Sequence, residues 1–288
     1  MRISWIAALL LLLALPARAE IPVGDGRIEV PEPSGATAAP LPVWLHRAAA
    51  WQPGGPVLVV MHGLRRDADH YRDDWAALAE RYGVLLLVPE FSHAKYPGAA
   101  WYNFGGAVDD AGVARPREAW SFFALDRAVA AVQRAAGAPE GPFVLYGHSA
   151  GAQFVHRYLL LTGARRAGTV VIANAGSYTL PVFDRDFPEG LRGPAVTHAD
   201  LGAALSRPVV MLLGEADIDP NHPSLPRQPW AMAQGPYRFA RGQNFLRVAR
   251  EAAAGQGVAF GWRLVTVPGV GHSNAGMAEA AAAALFGR

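Results

Sequence analysis

Apolar runs recur along the chain at 57–61, 85–88, 143–146, 169–173, 209–213 and 262–267. They carry little polar alternation, the pattern of strands buried on both faces as in a parallel sheet. Between them lie segments whose apolar residues repeat near 3.6. Trp75, Leu78, Ala79 and Tyr82 do so within 71–82, and Phe122, Leu125, Val129 and Val132 within 119–136. Further helices are expected at 150–161, directly after the third run, at 245–254 before the last, and at 274–286 closing the chain. Two shorter strands are expected at 26–30, on an edge, and at 42–47. Strands alternating with helices predict an α/β fold with right-handed crossovers and a mostly parallel sheet of eight strands, helices on both faces. No internal repeat or low-complexity tract interrupts the pattern.

The first residues read differently. Arg2 precedes an apolar stretch from Ile3 to Leu15, and Ala17-Arg18-Ala19 is a small-x-small site. This is the form of a secretory signal peptide, 1–19, cleaved after Ala19. The run is shorter than the ~20 residues of a comfortable membrane span. The expected mature chain, 20–288, is a single domain that is exported, periplasmic or extracellular, with no integral membrane span. Cleavage also changes the charge. The whole chain has 26 basic and 24 acidic residues, and losing Arg2 and Arg18 leaves 24 of each. A formally neutral chain gives no reason to expect a nucleic-acid partner. The absence of cysteine excludes disulfides, thiolate metal sites, a Cys nucleophile and a lipid anchor through an N-terminal Cys.

The chemistry concentrates where the runs end. Gly147-His148-Ser149-Ala150-Gly151 is a G-x-S-x-G between an apolar strand and a helix. That setting turns the chain sharply enough to lift the serine hydroxyl to the strand's C-terminal edge, and it needs small flanking residues. A serine hydroxyl needs a base. Of nine histidines, His272 lies after the last strand in a Gly-rich loop, the position that the chain order Ser, acid, His requires. The acid is expected after the 209–213 run, at Asp217 with Asp219 in reserve, to fix the tautomer of His272. An oxyanion needs two donors: the N–H of Ala150, after the serine, and that of Leu64, in the turn at Gly63. His62 beside it is expected to hold that loop. Trp101, Tyr102 and His148 are candidate substrate contacts, and the connections 177–207 and 218–244 are candidate pocket walls. Asp217-x-Asp219-x-Asn221 imitates a calcium loop, but His222 stands where the sharp turn needs glycine, so no metal site is assigned. His198 and His222 are expected on the surface.

Taken together, His62-Gly63-Leu64, Tyr71, Trp75, Pro89-Glu90-Phe91, the Gly147–Gly151 elbow, Gly214 to Asp217 and Gly271-His272 resemble the α/β-hydrolase superfamily. Within it they resemble the poly(3-hydroxybutyrate) depolymerase and related esterase group. The resemblance covers nearly all of the expected mature chain. It implies an α/β-hydrolase fold without a large lid domain, and hydrolysis of a small-molecule or polymeric carboxylic ester through an acyl-enzyme, with no cofactor. The cysteines of some secreted members are absent. Two rival readings keep the same fold: a peptidase or amidase on the same three residues, and a binding protein without turnover. The pattern carries no signal for an oligomeric state.

Overall fold

The computed structural model describes residues 21–109 and 111–287, so the expected leader at 1–19 lies outside the described residues. Eight strands, β1 (Gly24–Val30), β2 (Leu41–Arg47), β3 (Val57–Met61), β4 (Leu85–Pro89), β5 (Phe143–His148), β6 (Ala167–Ala173), β7 (Val209–Gly214) and β8 (Trp262–Val267), form one sheet. Its order is β1-β2-β4-β3-β5-β6-β7-β8. β1 and β2 run antiparallel at one edge, and all pairings from β4 to β8 are parallel. The helices are α1 (Ala68–Tyr82), α2 (Gly98–Trp101), α3 (Ser121–Ala135), α4 (Ala150–Thr162), α5 (His198–Ser206), α6 (Pro229–Met232), α7 (Arg238–Gln256) and α8 (Asn274–Phe286).

Two cores result from the two-residue period of the strands. Val57, Val59 and Met61 of β3 face a core with Leu125 and Val129 of α3, Phe154 of α4 and Phe245 of α7. Leu58 and Val60 face the other, with Trp75 and Leu78 of α1 and Met277 and Ala281 of α8. Both faces being covered, β3, β4 and β7 are buried at every position, which is why their sequences are continuous apolar runs. β1 alternates half-buried with exposed residues along most of its length, as an edge does.

The chain leaves β3 toward β4 and leaves β5 in the opposite direction toward β6. The order therefore reverses between β3 and β5, and the crevice at the C-terminal ends of such strands is where ligands sit in open α/β sheets. The loops after β3, β5, β7 and β8 meet there. The connections over this edge carry short helices and no separate lid domain among the described residues. No described helix is long and apolar enough to cross a membrane.

The short α2 and α6 fall where no helix was expected, and two longer helices also differ from the sequence expectation. α5 lies inside a segment read as a connection. Its start is a capping box, in which Thr197 Oγ1 accepts from the Asp200 N–H at 3.1 Å and Asp200 Oδ2 accepts from the Thr197 N–H at 3.1 Å. α7 begins at Arg238 instead of 245. Its first turns bury Arg238, Arg241 and Gly242, so the inward face carries guanidinium groups where an apolar stripe was sought.

Candidate active site

Ser149 sits between β5 and α4 with φ 58° and ψ −114°, a left-hand-side conformation that costs a non-glycine residue about 1–3 kcal/mol. The turn is tight enough that its glycines are obligatory. A Cβ at Gly147 would strike the carbonyl of Gly151, and one at Gly151 the carbonyl of Met61. The Ser149 N–H donates to Ala173 O at 3.0 Å, which fastens the turn to β6.

Ser149 Oγ lies 2.9 Å from His272 Nε2, and His272 Nδ1 lies 2.7 Å from Asp217 Oδ2. A carboxylate can only accept, so Nδ1 carries the hydrogen and Nε2 offers a lone pair to the serine O–H. The structure thus brings together the three residues that the sequence singled out. Asp217 is buried, and its second oxygen, Oδ1, accepts from Arg238 Nη1 at 3.3 Å. Phe239 N–H, in the first turn of α7, donates to the Asp217 carbonyl at 3.2 Å, which holds the acid loop against a helix N-terminus. Asp219 is exposed and its Oδ1 accepts from Asn221 N–H at 2.8 Å. It shapes a turn.

Asn174, at the end of β6, also takes part and was not found from sequence. It has φ 49°; its Oδ1 accepts from Gly214 N–H at 2.9 Å and its Nδ2 donates to Gly271 O at 3.3 Å. It clasps the acid loop to the histidine loop. An asparagine directly after an apolar run was the readable signal.

On the β3 side, His62 is a strut. Its Nδ1–H donates to Gly63 O at 3.1 Å and its Nε2 accepts from Phe91 N–H at 3.1 Å. Burial pushes its pKa down to about 3, so it stays neutral. Leu64 is half exposed, over the cleft, and neither its N–H nor that of Ala150 finds a protein acceptor among the described residues.

Two recesses flank Ser149. One is lined by Asn103, Phe104, Gln153, Ser177, Leu225 and Trp230. The other is lined by Arg65, Tyr71, His148, His222, His272 and Asn274. Leu64, Pro223 and Ser224 border both. Trp101 and Tyr102, expected as substrate contacts, line neither recess. The Tyr102 ring is fully buried, stacks on His62 at 4.7 Å and donates its hydroxyl to His62 O at 2.7 Å. Trp101 packs under the Arg115 guanidinium at 4.3 Å. Both faces were spent on holding the loop, and their neighbours Asn103 and Phe104 reach the cleft instead. His148 does border the second recess. It is nearly buried, its ring centroid lies 4.7 Å from that of His272, and the Tyr71 hydroxyl is 3.2 Å from its Nδ1. Burial, then the neighbouring His272 and Arg238, holds its pKa well below the usual imidazole range. His198 is exposed, as expected. His222 corrects the expectation of a surface residue: it is half-buried and edge-on to His272, centroids 5.2 Å apart.

A model of the esterase PHB depolymerase family matches residues 42–183. Poly(aspartic acid) hydrolase-1 from Sphingomonas sp. KT-1 is 38% identical, with a TM-score of 0.88 over 93% of this chain and 100% of that one. The poly(3-hydroxybutyrate) depolymerase LpqC from Bordetella parapertussis is 37% identical, with a TM-score of 0.87 over 93% of this chain and 91% of that one. This chain belongs to the PHB depolymerase esterase family. An S-formylglutathione hydrolase from Agrobacterium tumefaciens, 14% identical with a TM-score of 0.58 over 92% of this chain and 95% of that one, shares the fold alone. No curated protein sequence matches the chain. The segment that matches the esterase PHB depolymerase model contains Ser149 but ends before Asp217 and His272. Those two are brought to the serine by the folded C-terminal third. Family membership makes the protein an ester-hydrolase type of α/β-hydrolase.

Proposed function

We propose that this chain is an exported serine hydrolase that cleaves a carboxylic ester through an acyl-enzyme. Ser149 is the nucleophile, His272 the base and Asp217 the acid that orients it. The observation that carries this reading is the continuous chain Asp217–His272–Ser149, with links of 2.7 and 2.9 Å, beneath a strained serine at a strand-to-helix turn. Export rests on the leader form of residues 1–19.

Ser149 Oγ attacks the ester carbonyl while His272 Nε2 takes its proton. Asp217 stabilises the imidazolium, and Arg238 holds the outer oxygen of that carboxylate. The oxyanion is received by the N–H groups of Ala150 and Leu64, and α4 points its N-terminus at the same charge. His272 then gives its proton to the departing oxygen. Water, deprotonated by His272, attacks the acyl carbon in turn; the acid product leaves and Ser149 regains its hydrogen. The substrate is a small or polymeric ester.

A second reading, an amide bond cut by the same residues, is favoured by the likeness to a protein named as a poly(aspartic acid) hydrolase, since poly(aspartic acid) is joined by amides. An amine leaves less readily than an alcohol, so proton delivery from His272 then limits the rate more strongly. Paired esters and amides of one acyl group, assayed with the wild type and with Ser149→Ala, test both. The expected result is ester turnover that falls by about 10⁶-fold in kcat in the variant, with folding intact. Amide turnover comparable to that of the matched ester, and lost equally in Ser149→Ala, replaces the first reading with the second. A folded wild type that neither turns over nor reacts with a fluorophosphonate would make this a binding protein and end both.

A further inference from the structure

The recess that His272 lines must take the departing group, because the proton that releases it comes from His272 Nε2. The opposite recess, bordered by Ala150 and Gln153, then takes the acyl part. His222 stands in the wall of the leaving-group recess, and its neighbours fix its hydrogen. Its Nδ1 lies 3.2 Å from the Ser224 N–H, 3.3 Å from Arg238 Nη2 and 3.1 Å from Ser224 Oγ. A backbone N–H and a guanidinium can only donate. Nδ1 therefore holds the lone pair and the hydrogen sits on Nε2. No described protein acceptor takes that Nε2–H.

The mounting is rigid. Arg238 is 1% exposed, and beyond His222 it donates through Nη2 to Ser224 Oγ at 2.9 Å and through Nη1 to Asp217 at 3.3 Å. One buried guanidinium thus fixes both the triad acid and the tautomer of a cleft-lining imidazole. A second proton on Nδ1 would point at two donors, and burial with the Arg238 charge already lowers the His222 pKa. The ring stays a neutral donor, with its centre 5.2 Å from that of the proton-delivering imidazole.

We propose that His222 Nε2–H is a specificity-determining donor for the leaving group, which selects a departing unit that carries an acceptor carbonyl close to the scissile bond. An unbranched alkyl alcohol offers nothing to this hydrogen once its own oxygen is engaged with His272. A unit of an oligoester, or of an oligoamide, offers the carbonyl of its next linkage. The inference rests on Ser149 and His272 acting as proposed above.

The test uses two esters of one acyl group: one whose leaving alcohol is a 3-hydroxybutanoate methyl ester, and one whose leaving alcohol is the alkyl isostere without the carbonyl. The readout is the ratio of their kcat/KM values in the wild type, His222→Phe and His222→Gln, with fluorophosphonate labelling beside it. A glutamine can accept from Arg238 and Ser224 with its oxygen and present an N–H to the cleft. The expected ratio is about 10 in the wild type, near 1 in the Phe variant and restored in the Gln variant, the range of one hydrogen bond. An equal ratio in the wild type, a preference that survives in the Phe variant, or a parallel fall of both esters in the Phe variant without change of ratio overturns the role of His222 while leaving the hydrolase reading intact. A labelled wild type silent on both esters overturns the ester reading and this proposal with it.

Discussion

The two walls beside Ser149 are each backed by a buried arginine, and the arginines are held in opposite ways. Behind the leaving-group wall, Arg238 faces the Asp217 carboxylate at 3.3 Å. Behind the acyl wall, Arg157 meets dipoles only: Thr179 Oγ1 at 2.8 Å, the carbonyls of Gln153 at 3.1 Å and Asn103 at 3.2 Å, and the Phe104 ring at 4.7 Å. No described carboxylate pairs with it. Burial accordingly brings the Arg157 pKa down to about 9. The histidines repeat the contrast. His156 has both ring nitrogens satisfied, by Ala152 O and Thr179 N–H, each at 2.9 Å. His148 Nε2, beneath the leaving-group wall, has no partner among the described residues. The acyl wall has a positive charge sealed behind it that only dipoles face. The leaving-group wall is coupled electrostatically to the proposed triad through Arg238 and Asp217. Polar groups without partners cost stability, and both walls carry them: His148 Nε2 and Arg238 Nε on one side, Arg157 Nη2 and Asn103 Oδ1 on the other, have no partner among the described residues.

Asp217→Asn erases the contrast most directly. It leaves Arg238 as uncompensated as Arg157, and an amide at this position favours the wrong His272 tautomer. The expected loss in kcat is about 10⁴-fold, measured at substrate saturation with the folded variant. A loss below tenfold would mean that His272 is oriented by something other than this carboxylate.

A smaller effect separates the two arginines themselves. Arg238→Met strands a buried carboxylate, which costs about 3–5 kcal/mol. Arg157→Met strands only a hydroxyl and carbonyl oxygens, which costs about 1–3 kcal/mol. Denaturant midpoints of the two variants, at unchanged m, give the comparison. Equal midpoints, or a less stable Arg157 variant, would show that dipoles hold the sealed charge as firmly as a carboxylate does.

How much of this was legible in the sequence follows the same division. The strands, the elbow and the chain order of Ser149, Asp217 and His272 are written in apolar runs and in glycines, because a buried parallel sheet and a tight turn tolerate little else. The leaving-group wall is not. His222, Ser224 and Arg238 lie in a connection without periodicity, and Arg238 opens α7 with a charged residue turned inward. A buried guanidinium looks like a surface residue until its partner is known, and its partner, Asp217, is 21 positions away. Trp101 and Tyr102 line neither recess for a related reason: composition shows that a loop is aromatic but not which face of it the core takes.

Gln153 gives the smallest effect and tests the acyl side alone. It lies one turn into α4 from Ser149 and borders the acyl recess. Its Oε1 accepts from Ser177 Oγ at 3.2 Å, with Arg157 Nη1 at 3.5 Å. Arg157 can only donate, so the amide oxygen faces inward and Nε2, without a described protein partner, is the end left for the acyl group. Gln153→Leu keeps the volume and removes this donor. Acyl groups with an oxygen substituent should lose about three- to tenfold in kcat/KM relative to plain alkyl acyl groups, the range of one neutral hydrogen bond. The leaving-group ratio that reads His222 should not move, since Gln153 borders only the other recess. A change in both ratios would mean that the two recesses act as one cleft, with Leu64, Pro223 and Ser224 transmitting strain between walls that this structure builds separately.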